Sequence, residues 1–91
     1  MRLYTKDGNP LQVSGDKVYS RSGQIVGKIK RDRVFGPDGN YVGTIVRERL
    51  VYRSTHSSSR GTPFSAANKS GTGRGNRSRS AMWGEEPDIP D

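Results

Sequence analysis

The sequence predicts an all-β protein: a meander of three to four short β-hairpin repeats that forms a small barrel- or flower-like sheet, followed by an extended tail. Aromatic residues recur at positions 4, 19, 35 and 52, at intervals of 15, 16 and 17 residues, and a glycine turn follows each of the first three. The flanking segments are rich in Val, Ile, Tyr and Phe, which favour strands. No segment carries apolar residues at helical spacing over a sufficient length. We call the repeats units 1 to 4.

The turn of each of the first three units predicts a three-residue hairpin loop. Such a loop ends in a left-handed residue, a conformation that glycine adopts without steric cost. The loops are Lys6-Asp7-Gly8 (turn 1), Arg21-Ser22-Gly23 (turn 2) and Pro37-Asp38-Gly39 (turn 3). Pro37 suits the first central position of a type I turn because its φ is fixed. Gly8, Gly23 and Gly39 are therefore the predicted structural turn residues.

Strand alternation around these loops predicts which side chains share a sheet face. In unit 2 the face carries Tyr19, Ile25, Gly27 and Ile29, and in unit 3 it carries Phe35, Tyr41, Gly43 and Ile45. We expect the recurring aromatic residues to form a packed core; the alternative is a row of exposed platforms on which nucleic-acid bases stack. The repeated glycine at positions 27 and 43 suggests a bend or an aromatic ring lying over it.

Units 1 and 4 depart from this pattern. Pro10 and Gln12 stand where unit 2 has Ile25 and Gly27. Because proline cannot donate a hydrogen bond to a ladder, we expect the second strand of unit 1 to lie at a sheet edge. Unit 4 starts with Val51-Tyr52 and then gives way to serine and glycine.

Composition limits the size of the core and the kinds of partner. Only 29% of the 91 residues are apolar and the mean hydropathy is -0.90, so we expect the chain to dock on a protein complex or to form a homo-oligomer. The absence of cysteine excludes disulfides and thiolate chemistry. No apolar run is long enough for a signal sequence or a spanning helix, so we expect a cytoplasmic protein that does not span a membrane.

The net charge of +7 favours nucleic acid, anionic lipid or an acidic protein as a partner. The connections between units carry six basic and three acidic residues, which predicts a positive rim at the end of the sheet away from the turn glycines. The alternative is that these charges keep exposed turns soluble. We call the six basic residues the basic rim: Lys17, Lys30, Arg31, Arg33, Arg47 and Arg49.

The composition divides the chain into three segments: a β-hairpin repeat domain at residues 1–56, a flexible basic linker at 57–80 and an acidic C-terminal motif at 81–91. Ser, Gly, Thr, Asn and Arg dominate the linker, which cannot bury enough surface to order itself. Its basic residues could contact phosphates; they are Arg60, Lys69, Arg74, Arg77 and Arg79.

The C-terminal motif contains the only tryptophan in a context typical of short docking segments. Its candidate partner-binding residues are Met82, Trp83, Glu85, Glu86 and Ile89. The motif could bind a partner or fold back on the basic rim, and the remaining alternative is a tryptophan in a solvated tail.

Nothing in the residue pattern indicates catalysis, a metal site, a cofactor or a small-molecule substrate. His56 is the only histidine, and one histidine cannot by itself build a zinc site or a relay. The acidic residues of the first segment fall in turns, where aspartate is favoured for backbone reasons. We therefore expect a protein that is not an enzyme.

Two strings carry a family resemblance: Tyr19-Ser-Arg-Ser-Gly-Gln-Ile-Val-Gly-Lys-Ile and Phe35-Gly-Pro-Asp-Gly-Asn-Tyr-Val-Gly-Thr-Ile. They resemble the small prokaryotic domain family called the four-fold beta flower, over about residues 3–53. A weaker similarity is to PRC-barrel repeats. Both resemblances imply a compact β scaffold without catalysis. The missing glycine at position 12 and the short fourth unit leave complete four-fold closure open.

Two functions follow as hypotheses. The first is a docking or assembly subunit, in which a rigid β hub contacts a larger complex through its tail and basic rim. The second is a nucleic-acid binder that places the rim and the basic linker against RNA or DNA backbone.

Overall fold

A computed structural model describes residues 2–90; Met1 and Asp91, the outermost residues of the first and last predicted segments, lie outside the described residues. The chain forms a closed barrel of seven strands in sequence order, sealed by parallel pairing of β1 with β7. All other strand pairs are antiparallel, so the predicted all-β meander is confirmed. The strands are β1 Leu3–Thr5, β2 Pro10–Ser14, β3 Lys17–Tyr19, β4 Ile25–Lys30, β5 Arg33–Phe35, β6 Tyr41–Val46 and β7 Arg49–Val51. A short 3-10 helix, Ser54–His56, follows.

The three glycine turns match the predicted loops. The φ angles of Gly8, Gly23 and Gly39 are 97°, 96° and 84°. In turn 2 the amide of Gly23 donates to the carbonyl of Ser20 at 3.0 Å, and the amide of Ser20 donates to the carbonyl of Gln24 at 2.8 Å. The same two bonds close turns 1 and 3, because the local sequence requires only a left-handed third residue.

The predicted sheet faces are wrong beyond the first residue pair. Tyr19 pairs with Ile25 as expected, but Val18 pairs with Gly27, so Val26 is an extra residue on β4. The β5–β6 hairpin shifts its register at the equivalent place, between Val34 and Phe35. A bulge of this kind breaks strict alternation and increases strand twist, as closure of a small barrel requires.

Aliphatic residues form the core. The buried cluster comprises Leu3, Leu11, Val18, Val26, Val34 and Leu50. Three of these immediately precede an aromatic residue of the repeat, so alternation turns the aromatic rings away from the cluster. Tyr4 and Phe35 are buried beneath the tail, while Tyr19 and Tyr52 are half-buried. The expectation of a packed aromatic core is therefore confirmed for Tyr4 and Phe35, which are buried, but their rings lie beneath the tail and outside the aliphatic cluster.

Gly27 and Gly43 allow close approach of the neighbouring strand. A Cβ on Gly27 would collide with the Phe35 carbonyl and lie 2.8 Å from Cγ1 of Val34, and one on Gly43 would lie 2.9 Å from Cδ1 of Leu50. The predicted bend is present as the register shift opposite each glycine. Aliphatic side chains and strand backbone, not an aromatic ring, occupy the space.

The strand containing Pro10 is not at an edge, contrary to expectation, since β2 pairs with both β1 and β3. The reason is visible in unit 2, where the amide of Ile25, the equivalent of Pro10, donates to Oδ1 of Asn68 in the tail at 2.9 Å. The amide at this position serves a tail contact and not the ladder. A proline there removes one outer hydrogen bond and leaves the barrel closed.

Candidate binding surfaces: the strap and the basic rim

Much of the predicted flexible linker lies against the barrel in extended form, hydrogen-bonded to the glycine turns. We call residues 61–85 the strap. The amide of Gly61 donates to the carbonyl of Gly39, that of Lys69 to Gly23 and that of Arg77 to Gly8, each at 2.8 Å. The strap therefore passes turns 3, 2 and 1 in that order. Its flexibility in solution stays a prediction, but its path is set by the turns.

The strap repeats its contacts every eight residues, and each eight-residue period contacts one hairpin unit of the barrel. Within each period the amide of the fourth residue makes a second bond, from Phe64 to Pro37, from Thr72 to Arg21 and from Ser80 to Lys6. Every turn thus presents two carbonyls and receives two strap amides. Glu85, eight residues after Arg77, exchanges two backbone hydrogen bonds with Tyr52 at 2.8 Å, which brings the strap to unit 4.

Strap residues at the first position of each period cover the outward aromatic rings. The Lys69 ammonium lies 5.4 Å from the centroid of Tyr19, and the Arg77 guanidinium lies 4.7 Å from that of Tyr4. In unit 3 a Cβ on Gly61 would lie 2.7 Å from the Phe35 ring. Cations over aromatic faces are attracted by the ring quadrupole. The rings therefore pack beneath the strap and are not open stacking platforms.

The five basic residues predicted for phosphate contact all engage the chain itself. Arg79 pairs with Asp7 at 3.3 Å and Arg77 with Glu48 at 3.1 Å. Arg74 donates to the carbonyls of Leu3 and Leu11 and lies over Tyr4. The others are Lys69, over Tyr19, and Arg60, which donates to the carbonyls of Ser57 and Ser59.

The structure divides the predicted C-terminal motif into bound and exposed parts. Glu86 accepts hydrogen bonds from the amide of Asp7 at 2.9 Å and from Nδ2 of Asn9 at 3.0 Å. Ile89 packs against the core cluster. The motif thus folds back on turn 1 and not on the basic rim. Met82 is half-buried and the side chain of Glu85 is exposed, while Trp83 is 56% exposed and lies 4.2 Å from the Arg53 guanidinium.

The basic rim lies at the three two-residue connections that join β2 to β3, β4 to β5 and β6 to β7: Arg31 and Arg47 are within them, and the other rim residues are the strand residues that flank them. We call these connections, residues 15–16, 31–32 and 47–48, the rim loops. Among residues 2–90, no backbone hydrogen bond joins the strap to a rim loop. Lys30, Arg31 and Arg47 are exposed and make no ion pair within the described chain.

The other rim residues are engaged. Lys17 pairs with Asp16 at 3.1 Å and lies 5.4 Å from the Phe64 ring centroid. Arg49 donates to the carbonyl of Thr5 at 3.3 Å and lies near the Tyr4 ring. Arg33 is half-buried, and its Nε has no protein partner. Thus the structure leaves Lys30, Arg31 and Arg47 as the exposed rim cations available to a ligand.

Asp16 partly neutralises the first rim loop. The hydrogen bond from Lys17, reinforced by the charges of Lys17 and Lys28, lowers the pKa of the Asp16 carboxyl below its ordinary value of 3.8. Lys28, which the sequence analysis did not assign to the rim, also lies close to this loop, with its Nζ 3.7 Å from Asp16. The second and third rim loops, by contrast, keep unpaired arginines.

Two rim loops hold arginine in a backbone conformation that favours glycine. The first residues of the three loops are Gly15, Arg31 and Arg47, with φ of 61°, 61° and 57°. These arginines are the described non-glycine residues with positive φ. A side chain in this region costs roughly 1–2 kcal/mol. Lys30, Arg31, Arg33 and Arg60 also line one open cleft, of about 330 Å³, with Asp32.

A buried polar network fixes the junction between barrel and strap. Oγ1 of Thr44 lies 2.6 Å from the Tyr41 hydroxyl and 2.7 Å from Nδ1 of His56. The Tyr41 hydroxyl also accepts a hydrogen bond from the amide of Arg53 at 3.2 Å. Thr44 is only 2% exposed, so the network holds the 3-10 helix on the barrel. Sequence reasoning missed this use of His56.

Over the described residues, no three His, Cys, Asp or Glu side chains gather as a metal site would need. Within that same range no helix is both long and apolar enough to cross a membrane. The fold thus defines a small closed barrel of hairpin units encircled by its own C-terminal segment. No family model matches the chain, and no curated protein or solved structure is significantly similar to it. Its resemblance to the four-fold beta flower family stays a prediction.

Proposed function

We propose that this protein is a non-catalytic, cytoplasmic β scaffold that acts as a docking subunit of a larger complex, and that the basic rim is its contact surface. The proposal depends chiefly on Arg31 and Arg47. Both occupy a loop position where Gly15 serves in the first hairpin, and both have positive φ. Glycine would adopt this backbone conformation without strain, so an arginine at the position supports a functional role for its side chain.

The arrangement of the two loop sets also supports the rim as the contact surface. The strap amides satisfy the turn carbonyls, and Glu48 and Asp7 of the barrel pair with the strap cations Arg77 and Arg79. Lys30, Arg31 and Arg47 meanwhile extend from the barrel without ion pairs among the described residues. An acidic protein surface would complete these charges, and electrostatic complementarity of this kind governs association rate and specificity.

Trp83 is a second element of the docking proposal. It is the large apolar side chain most exposed in the described chain, and exposed tryptophan is frequent at interface centres. A pull-down from the native host would compare the full chain with Trp83→Ala. We expect loss of part of the partner set. Identical partners would restrict docking to the rim.

The rim is tested by the double variant Arg31→Gly/Arg47→Gly. The substitution removes two charges and also the backbone strain, so we expect unchanged or higher stability together with loss of partners in pull-down with mass spectrometry. The matched control is Arg2→Ser/Arg21→Ser, which removes the same charge from exposed sites outside the rim loops. Equal partner loss in both variants would mean that net charge, not the rim, determines binding.

The second candidate function is binding to RNA or DNA backbone, favoured by the unpaired arginines that recur at the same position of successive hairpins. Phosphate contacts release counterions, so affinity falls steeply with salt. Fluorescence anisotropy with random single-stranded RNA and duplex DNA would measure this slope. The rim variant should reduce its magnitude by about 2, at roughly one unit for each lost contact. Binding that does not weaken with salt would exclude this candidate.

A further inference from the structure

The turns and the strap are complementary repeats, and this suggests more than one way to pair them. Each turn and its aromatic ring make one subsite for a strap period: two carbonyl acceptors and a ring. Three such subsites follow one another around the barrel, and Tyr52 accepts the strap end. We propose that this surface also binds the strap of a second copy of the same chain, so that molecules exchange straps.

The strap is held by contacts that can open locally. Most of its residues are exposed, including Lys69 and Arg77, and its one large apolar residue before Met82, Phe64, is half-buried. Its anchors are backbone hydrogen bonds and surface cations. Segments with few buried apolar contacts open more readily than the core to which they attach. The middle of the strap should therefore open more readily than the barrel, whereas its C-terminal end is fixed by Ile89 against the core cluster and must also detach for exchange.

A released strap leaves a surface that is complementary to a segment of the same kind. The paired carbonyls of the turns would lack protein donors, and the rings of Tyr4 and Phe35, now buried, would face water. A Cβ added to Gly23 would collide with the Lys69 carbonyl, and one added to Gly8 would collide with the Arg77 carbonyl. The turns therefore lie directly against the strap backbone. Another molecule of the same chain carries such a segment, its own strap. Exchange of an identical element is a recognised route to dimers.

Intramolecular binding competes with exchange, because the attached strap has a high effective concentration. Exchange should therefore rise with protein concentration. The connection from Tyr52 to Gly61 includes the 3-10 helix, which the Thr44–His56 hydrogen bond holds on the barrel. Opening at that bond would let the strap reach a neighbour. This proposal does not depend on the basic rim.

Disulfide trapping in the cysteine-free chain provides the test. One full-length population carries Ser22→Cys in turn 2, and the other carries Gly71→Cys in the strap. A Cβ at position 71 would lie 3.0 Å from the Arg21 carbonyl oxygen and 3.2 Å from that of Ser22, so a strap that crosses turn 2 brings residue 71 next to residue 22. The populations are mixed at high concentration, equilibrated under reductant and then oxidised. Non-reducing electrophoresis and mass spectrometry count the products.

In an equal mixture, random pairing gives as many mixed dimers as same-variant dimers; we expect the mixed dimers to outnumber the same-variant dimers several-fold, and this ratio should fall on dilution. Gly73→Cys is the matched control for the strap position, because a Cβ there faces open space. It should give random pairing. Random pairing for both strap variants, at every concentration tested, would overturn the proposal. Circular dichroism checks that each single variant is folded, and a chain carrying both substitutions should form its disulfide internally when dilute.

Discussion

Gly23→Ala separates the two constraints that act on a turn glycine: its φ angle and the strap that passes over it. At a φ of 96°, alanine costs roughly 1–2 kcal/mol of conformational strain. Its Cβ would also collide with the carbonyl of Lys69. The strap must then leave turn 2, which breaks the bonds from Lys69 to Gly23 and from Thr72 to Arg21.

The two lost hydrogen bonds contribute about 0.5–1.5 kcal/mol each. Together with the strain, we expect Gly23→Ala to lower the free energy of unfolding by about 2–5 kcal/mol. For a chain of this size, each kcal/mol lowers Tm by roughly 4–8 °C. Urea unfolding followed by circular dichroism measures the difference, and amide hydrogen exchange at Lys69 and Thr72 reports release of the strap.

Gly15→Ala is the matched control. Gly15 also has positive φ, 61°, but a Cβ there meets nothing within 4 Å. We expect only the strain, roughly 1–2 kcal/mol. Equal destabilisation by the two variants, with unchanged exchange at Lys69, would refute the placement of the strap on turn 2.

Three further perturbations test the barrel and the rim. Thr44→Val removes the partner of His56 Nδ1 and one of the two partners of the buried Tyr41 hydroxyl, so unfolding free energy should fall by about 1–3 kcal/mol in urea titration; no change would mean that the network has no stabilising effect. Gly27→Ala places a Cβ against the Phe35 carbonyl and should cost about 1–3 kcal/mol through overpacking, whereas Gly73→Ala, in open space, should be neutral. Because the folded pKa of Asp16 is depressed, its contribution is present above pH 3.8 and lost as pH falls through the folded value. The stability difference between the wild type and Asp16→Asn should therefore shrink in acid, and a difference that grows would contradict the ion pair.

The hairpin turns could be predicted from the sequence because their chemistry is local. A glycine at the third loop position specifies both the loop and the first strand pair, as Tyr19 and Ile25 show. The bulge at Val26 could not be predicted in this way. It results from closing a barrel of very short strands, a constraint that no single unit contains, and the central cluster of the core is aliphatic.

The strap was missed for a different reason. The strap binds through backbone amides, which every residue except proline has, so its side chains do not reveal the contact. Its Ser, Gly and Asn content is typical of linkers. One signal was present: Asn68 and Asn76 stand eight residues apart, as do Lys69 and Arg77. Their meaning depends on the turns. Asn68 bonds to the amide of Ile25 and Asn76 to the side chain of Asn9, both just beyond a turn glycine.

The strap also explains how unit 4, which has no glycine turn of its own, is completed as a hairpin. In units 1 to 3 a glycine with positive φ precedes the residue whose carbonyl closes the turn, as Gly8 precedes Asn9. At the C-terminus Gly84, with φ of 119°, precedes Glu85, which pairs antiparallel with Tyr52. Ile89 then reaches the core. The second half of unit 4 is thus supplied by the C-terminal residues, and the strap is the long connection between the two halves.

Because β7 pairs with β1, this connection must travel past turns 3, 2 and 1 to return to unit 4. The same path that completes the hairpin covers the aromatic rings, so a chain with few apolar residues buries them without a larger core.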